Sequence, residues 1–439
     1  MALHPFLWVC YNTVMNNNQI PSFPNFQNEQ TLASHYAEIL NLSFPWEIGT
    51  ITIHHEKNDI SIEVICNKGH KVLCPLCDSE CPRADTRELR KWRHLNILQY
   101  TSHIICRVPR SSCKTHGIKT VNIPWASNLT HITTLFYGYA LTILKNASSI
   151  KSSCAILGLK WKAVMHIMNI AVKKGEAKRS LDGIQFLGLD EKSFLKGHHY
   201  ITSLVDIKER RILNVAEHRT IDSTKIVLSV LSPEQKQGIK ATCMDMWKAF
   251  KTGVLSECPK STIVYDKFHI MKYLNHAVDL IRREEHRILQ KNKDTSLTKA
   301  RFLFLKNHDS FTDSEKESWD KLSKLNLQVS KAWMLKELFK EFYTQGSIEK
   351  ATLFWKKWYF RVTHSKMKAL IKVARMMKDH IDGLLAYITW SISNGITEGF
   401  NTTIQAIKTN ARGFRNFKNY RTRILFMLGG LDMTMERNP

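Results

Sequence analysis

The chain has few acidic residues and no long apolar run. Its 439 residues hold 39 Asp and Glu against 64 Lys and Arg, so the formal net charge is +25. No stretch of about 18 apolar residues occurs, so we expect no membrane-spanning helix. The apolar segment 1–14 lacks Lys, Arg and a convincing cleavage site, which argues against a signal peptide, and Met15 is a second candidate start.

The excess of Lys and Arg over Asp and Glu indicates what kind of partner the chain binds. Lys and Arg release condensed counterions when they bind DNA, so a charge of this size favours a polyphosphate ligand. A basic protein whose charges are simply solvated is the alternative.

Six of the ten cysteines fall between residues 66 and 113. Without an export signal, clustered thiols indicate metal binding before disulfides. Cys74 and Cys77 form one pair, and Cys113 with His116 forms a second, a spacing suited to a tetrahedral structural zinc site. Cys81 and Cys106 are rival ligands, and buried free thiols are the competing interpretation. A β-hairpin signal precedes the site, so we expect a β-rich zinc-binding domain over 46–127, after an N-terminal lead over 1–45.

Two regions upstream of residue 180 have features that suit DNA contact. Basic residues surround Trp92 between the two metal-ligand pairs, where a solvated charged face explains them equally well. A short helix, a turn containing Gly158 and a second helix from Trp161 predict a helix-turn-helix over 128–178. A plain αα-hairpin has the same pattern. The candidate DNA-binding residues of these regions are Arg87, Arg90, Lys91, Arg93, Lys160 and Lys162.

The segment 183–272 predicts three strands, a helix, a strand, a helix and a fifth strand. This is the order of the ribonuclease-H-like fold, and it brings the ends of the first and fourth strands together. Asp190 ends the first strand and Asp245 ends the fourth, so the two carboxylates could share a metal. We therefore expect a multidomain α+β and α/β chain whose catalytic core has two parts.

A helix-rich insertion over 273–390 separates this first part from a final helix over 391–430. Glu398 stands at the beginning of that helix, and a basic stretch without acids follows it. A lone carboxylate there could be only a helix-dipole partner. Together with Asp190 and Asp245, it could instead complete a site for two divalent metals and in-line phosphoryl transfer. The candidate DNA-binding residues of this stretch are Lys408, Arg412, Arg415 and Lys418.

Ordered motifs over about residues 35–430 resemble the ISL-three family of bacterial insertion-sequence transposases. The motifs are Cys74–Cys77, Val108–Arg110, Thr115–Gly117, Pro124–Ala126, Leu187–Glu191, Asp245–Trp247, Asp266–His269, Ser393–Asn401 and Gly413–Phe414. The resemblance implies that Asp190, Asp245 and Glu398 are catalytic and bind Mg²⁺ or Mn²⁺. Asp266 is the rival for the place of Asp245. The residues expected to support the site are Glu191, Asp266, His269, Asn394 and Asn401.

The resemblance implies a DDE transposase that binds the terminal inverted repeats of its element. Asp190 is expected to bridge two Mg²⁺ ions, with Asp245 and Glu398 holding one each, and zinc is expected to be structural. The partners implied are double-stranded DNA at the ends and target, and a second copy of the chain, in the bacterial cytoplasm at the nucleoid. The competing hypotheses are a zinc-finger and helix-turn-helix regulator that does not cut, and a nuclease that does not join strands.

Overall fold

The structure, a computed structural model, describes residues 32–127, 130–195, 197–306, 308–325 and 327–435. The apolar N-terminal segment and Met15 lie outside the described residues, as does most of the predicted lead over 1–45. The chain divides into two compact units, the first ending at Tyr137 and the second running from Gly138 to Met435. Each unit is described by itself.

The first unit begins with a short helix and is otherwise β-rich. Its four-stranded sheet has the order β1-β2-β7-β6, β3 pairs with β4, and a third sheet has the order β5-β8-β9. The elements are α1 (Leu32–Ile39), β1 (Trp46–His54), β2 (Asp59–Cys66), β3 (Val72–Leu73), β4 (Glu80–Cys81), β5 (Arg83–Thr86), β6 (Arg90–Ile97), β7 (Tyr100–Cys106), β8 (Pro109–Cys113), β9 (Gly117–Thr120) and the start of α2 (Thr134–Asn146).

The hairpin predicted from the alternation of apolar and polar residues is present. β1 and β2 pair antiparallel, with His54 opposite Asp59. The inward side chains of β2 are buried, and they pack in a core that includes Trp92 and Trp125. The rings of these two tryptophans meet edge to face at 5.7 Å between centroids, an arrangement that aromatic pairs favour.

The second unit opens with two helices and continues into a mixed sheet. Its first elements are α3 (Ile150–Leu157), α4 (Trp161–Lys178), β10 (Phe186–Leu195), β11 (His199–Asp206), β12 (Arg211–Glu217), α5 (Ile221–Leu228), α6 (Pro233–Gln237), β13 (Ala241–Met244), α7 (Lys248–Glu257) and β14 (Thr262–Tyr265). Gly158 ends α3 with a φ of 64°, and Ser149 caps its beginning by accepting from the Ser152 amide. α3 and α4 are bent relative to each other by 107°.

The sheet of the second unit determines where the acidic residues lie. Its order is β12-β11-β10-β13-β14. β11 is antiparallel to both neighbours, whereas β13 is parallel to β10 and β14 is parallel to β13. Gly188 of β10 is opposite Cys243 of β13. Two residues further along each parallel strand, Asp190 and Asp245 therefore reach the same region of the sheet.

The rest of the second unit is helical. Its elements are α8 (Lys267–Lys291), α9 (Arg301–Leu305), α10 (Asp313–Ser323), α11 (Gln328–Phe339), α12 (Ile348–Thr363), α13 (Lys368–Lys378), α14 (Ile381–Trp390), α15 (Gly395–Asn410) and α16 (Phe417–Leu428). A capping box begins α10, with the Thr312 hydroxyl accepting from the Glu315 amide. The boundary predicted between residues 272 and 273 falls inside α8. Among the described helices, no single one is long and apolar enough to span a membrane.

Candidate active site and Cys/His cluster

Asp190 lies in β10 and is 4 % exposed. The Asn401 side-chain amide on α15 donates to its Oδ2 at 2.7 Å, and the Glu191 amide donates to its Oδ1 at 2.8 Å. Burial raises the pKa of Asp190 to about 6, although His269 and these hydrogen bonds act in the opposite direction. Burying a carboxylate in this way is costly unless a positive charge compensates it.

His269 lies between the first two catalytic candidates. Its Nδ1 is 3.4 Å from Asp245 Oδ2, and its Nε2 is 4.0 Å from Asp190 Oδ1. The ring is presented by the first turn of α8, which begins directly after Asp266. The two nitrogens of one imidazole therefore face the two carboxylates.

The beginning of α15 is held against the sheet by Asn394. The Asn394 side-chain amide donates to the Leu189 carbonyl of β10 at 3.1 Å, and its backbone amide donates to Asp266 Oδ1 at 3.2 Å. Gly188 permits this approach, since a Cβ at that position would be 2.9 Å from Asn394 Oδ1. These contacts bring the first turn of α15, which carries Glu398, to the edge of the sheet that carries Asp190.

Several acidic oxygens at this edge lack partners. Buried oxygens without a hydrogen bond include Glu191 Oε2, Asp266 Oδ2, Glu398 Oε1 and Asn401 Oδ1. Burial raises the pKa of Glu398, as does the charge of Asp266. It likewise raises the pKa of Asp266 and of Glu191, the latter with a contribution from Asp245. Buried carboxylate oxygens without hydrogen-bond partners are suited to a hard divalent cation.

The acidic oxygens are nevertheless spread apart. Among the described residues, the group of donor atoms that lie within 4.8 Å of one another is a Cys/His cluster and not this acidic set. Asp190, Asp245 and Glu398 therefore do not form one such compact group of three ligand atoms.

A guanidinium group beside this site was not predicted from the sequence. Arg219 lies over the rings of Tyr200 and Trp247, at 4.2 and 4.5 Å from their centroids. Its Nη1 is 3.4 Å from Glu191 Oε1, and the Trp247 indole donates to the Arg219 carbonyl at 3.0 Å. The one relevant signal in the sequence was Trp247, within the Asp245–Trp247 motif. Arg219 itself is an ordinary residue between a strand and a helix.

The Cys/His cluster of the first unit consists of Cys74, Cys77, Cys113 and His116. His116 Nδ1 is 3.6 Å from Cys74 Sγ and 3.7 Å from Cys113 Sγ, and the sulfurs of Cys77 and Cys113 are 3.8 Å apart. The backbone amides of His116 and then Thr115 lower the pKa of Cys113 to about 7. This donor set, three thiols and one imidazole, is compatible with tetrahedral zinc.

The two rival cysteines lie in different surroundings. Cys81 packs beside Cys74 and Cys113, outside the group of four. Cys106 lies in the hydrophobic core of the first unit, where burial raises its pKa to about 12. Cys106 is therefore a core thiol.

The candidate DNA-binding residues differ in how far their side chains are exposed to solvent. Those whose side chains are exposed are Arg87, Lys91, Lys160, Lys162, Arg412, Arg415 and Lys418. Lys91 pairs with Asp59 at 3.1 Å, Arg90 lies over Trp92, and Lys408 is partly exposed and donates to the Ser193 carbonyl.

Arg93 requires a correction. It is 9 % exposed, donates to the carbonyls of His94 and Ser102, and lies over Phe136. Arg93 therefore belongs to the interior of the first unit and is no longer a candidate DNA-binding residue. Its place in a run of basic residues concealed this, because Trp92, Arg93 and His94 are buried in succession in β6 and do not alternate with exposed positions.

Comparison with known proteins identifies the family of the chain. The family model for ISL-three DDE transposases, described as "Transposase", matches residues 187–424. The chain belongs to this family, whose members cut and transfer DNA.

Two named relatives are similar to the chain over most of its length. The transposase for insertion sequence element IS1001 of Bordetella parapertussis is 25 % identical over 79 % of this chain and 86 % of its own length. The transposase for insertion sequence element IS1557 of Mycobacterium tuberculosis is 23 % identical over 75 % of this chain and 79 % of its own.

Proposed function

We propose that the chain is the transposase of an insertion sequence, and that it cuts and joins DNA at the terminal inverted repeats of its own element. The observation that carries the proposal is the set of buried, unpaired carboxylate oxygens around Asp190, Asp245 and Glu398, in a chain of net charge +25. A set of negative groups at one sheet edge suits a site that binds divalent cations next to phosphate.

The sheet supports assigning a ribonuclease-H-like catalytic core. The first strand is central, the second and third extend it antiparallel on one side, and the fourth and fifth extend it parallel on the other. In this arrangement Asp245, at the end of the strand beside β10, is a nearer neighbour of Asp190 than Asp266 is. Asp266 instead accepts from the Asn394 amide. We therefore keep Asp245 as the second ligand, with Asp266 and His269 in support.

The residues present fit Mg²⁺ or Mn²⁺, both of which prefer carboxylate oxygens. When bound, these ions lower the pKa of an attacking water and stabilise charge on the leaving oxygen. Asp190 would contact both ions, and Asp245 and Glu398 one each. Asn401 would orient Asp190 through its hydrogen bond, and Arg219 would hold Glu191 in place.

The reaction is an in-line exchange at phosphorus. In the first step, a water oxygen forms a bond to the scissile phosphorus while the bond to the 3′ oxygen breaks, which leaves a 3′-OH. In the second step, the oxygen of that hydroxyl forms a bond to a phosphorus of the target DNA while the bond from this phosphorus to the 3′ oxygen of the target strand breaks. The attacking hydroxyl loses its proton, and the released 3′ oxygen gains one. Neither step needs a covalent enzyme intermediate, so no Ser or Tyr nucleophile is assigned.

End recognition is proposed for α3, α4 and the Cys/His cluster. The 107° bend and the short turn between α3 and α4 agree with helix-turn-helix geometry. In such motifs the first residues of the second helix contact base edges. Lys160 and Lys162 are exposed at the corresponding position. The cluster would hold one structural Zn²⁺, and pairing two element ends would require at least two copies of the chain.

The test is cleavage of a plasmid that carries the DNA flanking this gene. We expect the full chain to cut at the element ends in Mg²⁺, and Asp190→Asn to bind the same ends without cutting. A plasmid lacking the ends should remain intact. End binding without cutting by the wild type would favour a regulator. Cutting that ignores the end sequence would favour a nuclease.

A further inference from the structure

A basic cleft lies within the second unit, at the far end of the helix that begins near Glu398. It measures about 610 Å³ and is bordered by the start of α3, the start of α4 and the turn between α15 and α16. We call it the α15 cleft. Its lining residues are Ser149–Lys151, Trp161, Asn410–Asn416 and Asn419.

The cleft is suited to an anion. Lys151, Arg412 and Arg415 line it, and no acidic residue does. All three side chains are exposed. Within the described parts of the chain, none of the three forms an ion pair with a carboxylate. Positive charges that no protein group neutralises are free to bind phosphate.

One wall of the cleft offers an aromatic surface. Trp161, the first residue of α4, is 46 % exposed. Its ring has no aromatic or cationic partner in the described residues. Phe414, by contrast, is buried and packs on Tyr420 at 4.9 Å between centroids. Trp161 is therefore the aromatic side chain of the cleft that is free to stack on a ligand.

The turn after α15 keeps the cleft open. Arg412 and Gly413 both have positive φ, at 53° and 94°. A Cβ added to Gly413 would meet nothing within 4 Å, so open space faces the backbone there. Left-handed backbone at two successive residues turns the chain sharply and leaves the Arg412 and Arg415 side chains on the cleft.

We propose that the α15 cleft binds one unpaired nucleotide of the element-end DNA, with its base stacked on Trp161 and its phosphate held by Lys151, Arg412 and Arg415. A basic groove combined with an aromatic platform is how proteins hold single-stranded nucleic acid. The cleft has the volume of a small-molecule pocket. A base inside a duplex could not present its face to Trp161, because its neighbours in the stack cover both faces. The inference rests on the proposed function and adds a nucleotide site to it.

The position of the cleft predicts how far the bound nucleotide lies from the cut. Twelve residues separate Glu398 from Asn410 along α15, which corresponds to roughly 18 Å of helix. At about 3.4 Å per nucleotide along one strand, this is roughly five nucleotides. The bound nucleotide should therefore lie within about five positions of the scissile phosphate.

The experiment measures the affinity of the full chain for end duplexes with a single mismatch at each position near the cut, in Ca²⁺ to prevent cleavage. A mismatch removes the cost of unpairing, so at the extruded nucleotide it should tighten binding about tenfold. Trp161→Ala should abolish this gain and Trp161→Phe should retain it. Ile156→Ala, an exposed apolar change on α3 outside the cleft, should leave the gain intact.

The outcomes separate this inference from the function on which it rests. If the wild type cuts at the ends but no mismatch tightens binding, the cleft proposal is wrong and the transposase proposal stands. If Trp161→Ala weakens matched and mismatched duplexes equally, Trp161 contacts paired DNA and the cleft proposal is again wrong. A wild-type chain that does not distinguish end DNA from unrelated DNA overturns both.

Discussion

At the scale of single residues, the carboxylates at the sheet edge differ in their surroundings. Asp190 accepts from Asn401 and from its neighbouring amide. Asp245 contacts His269. Asp266 uses one oxygen to accept from the Asn394 amide, which links β14 to the beginning of α15. Asp245 also accepts from the Met246 amide at 2.6 Å and, within the described residues, has no hydrogen bond to α15. Asp266 is therefore the carboxylate that holds α15 in place, through one oxygen, and its other oxygen has no hydrogen-bond partner among the described residues.

This difference predicts unequal effects of two matched substitutions. Asp245→Asn should reduce end cleavage to background, because it removes a ligand charge. Asp266→Asn retains an oxygen that can accept from the Asn394 amide, so its effect should stay within about a hundredfold, as for other supporting partners of metal sites. Cleavage rates of the two variants in Mg²⁺ decide the matter. If Asp266→Asn cleaved more slowly than Asp245→Asn, Asp266 would be the second metal ligand.

His94 gives a second prediction at this scale. It is buried in the first unit, where desolvation and then the charge of Arg93 lower its pKa from 6.5 to about 4. As the pH falls, His94 is therefore protonated in the unfolded chain before it is protonated in the folded chain. The stability that neutral His94 provides is complete above pH 6.5 and is lost as the pH falls towards 4. Between pH 7 and pH 5 the loss should be about 2 kcal/mol.

The matched variant is His94→Gln, which can still pair with the Thr133 hydroxyl that lies 2.9 Å from His94 Nδ1 and does not titrate. Urea unfolding of both full-length proteins at pH 7 and pH 5 isolates the effect, because zinc release affects both alike. The wild type should lose more stability than the variant. Equal losses would exclude His94 as the cause.

At the scale of elements, the contact between β10 and the beginning of α15 determines the site. Gly188→Ala would place a methyl group 2.9 Å from Asn394 Oδ1 and 3.1 Å from Thr397 Oγ1. The first turn of α15 would have to shift, and Glu398 with it. A displacement of this kind should slow cleavage about 10- to 100-fold, while end binding by the rest of the chain persists.

Gly346→Ala is the control for this substitution, since a Cβ at Gly346 has nothing within 4 Å. Cleavage and end binding are measured on both variants. Unchanged cleavage in Gly188→Ala would show that the position of α15 does not limit activity.

The elements also show what the sequence could and could not predict. The strands before Asp245 and Asp266 could be predicted because buried apolar runs end there, whereas β10 continues past Asp190, its predicted end, to Leu195. The four residues of the Cys/His cluster could be predicted because each pair of ligands is separated by only two residues in the sequence. The role of Arg219 could not be predicted from the sequence, because its contacts join distant segments. Arg219 lies in the β12–α5 turn, and the two rings that it contacts come from β11 and from the segment after β13. The burial of Arg93 could not be predicted, because three successive residues of β6 are buried, which departs from the usual strand alternation.

At the scale of the whole molecule, the Cys/His cluster predicts a zinc requirement confined to the first unit. The purified chain should contain about one Zn²⁺, as a single tetrahedral site implies. Cys113→Ala should lose it, and Cys81→Ser should retain it because Cys81 lies outside the group of four.

Chelation should then expose the first unit to protease and leave the second unit resistant, since structural zinc stabilises the fold around it. Elemental analysis and limited proteolysis are the measurements. Zinc loss in Cys81→Ser with retention in Cys113→Ala would reverse the ligand assignment.

The central claim is that one acidic site both cuts and joins DNA, and joining tests it most directly. The substrate is an end duplex already cut to expose its 3′-OH, mixed with a target plasmid in Mg²⁺. The wild type should join the end to the target, and Asp190→Asn and Glu398→Gln should bind the end without joining it. A wild type that hydrolyses DNA but never joins the end, or a Glu398→Gln variant that joins as well as the wild type, would contradict the account.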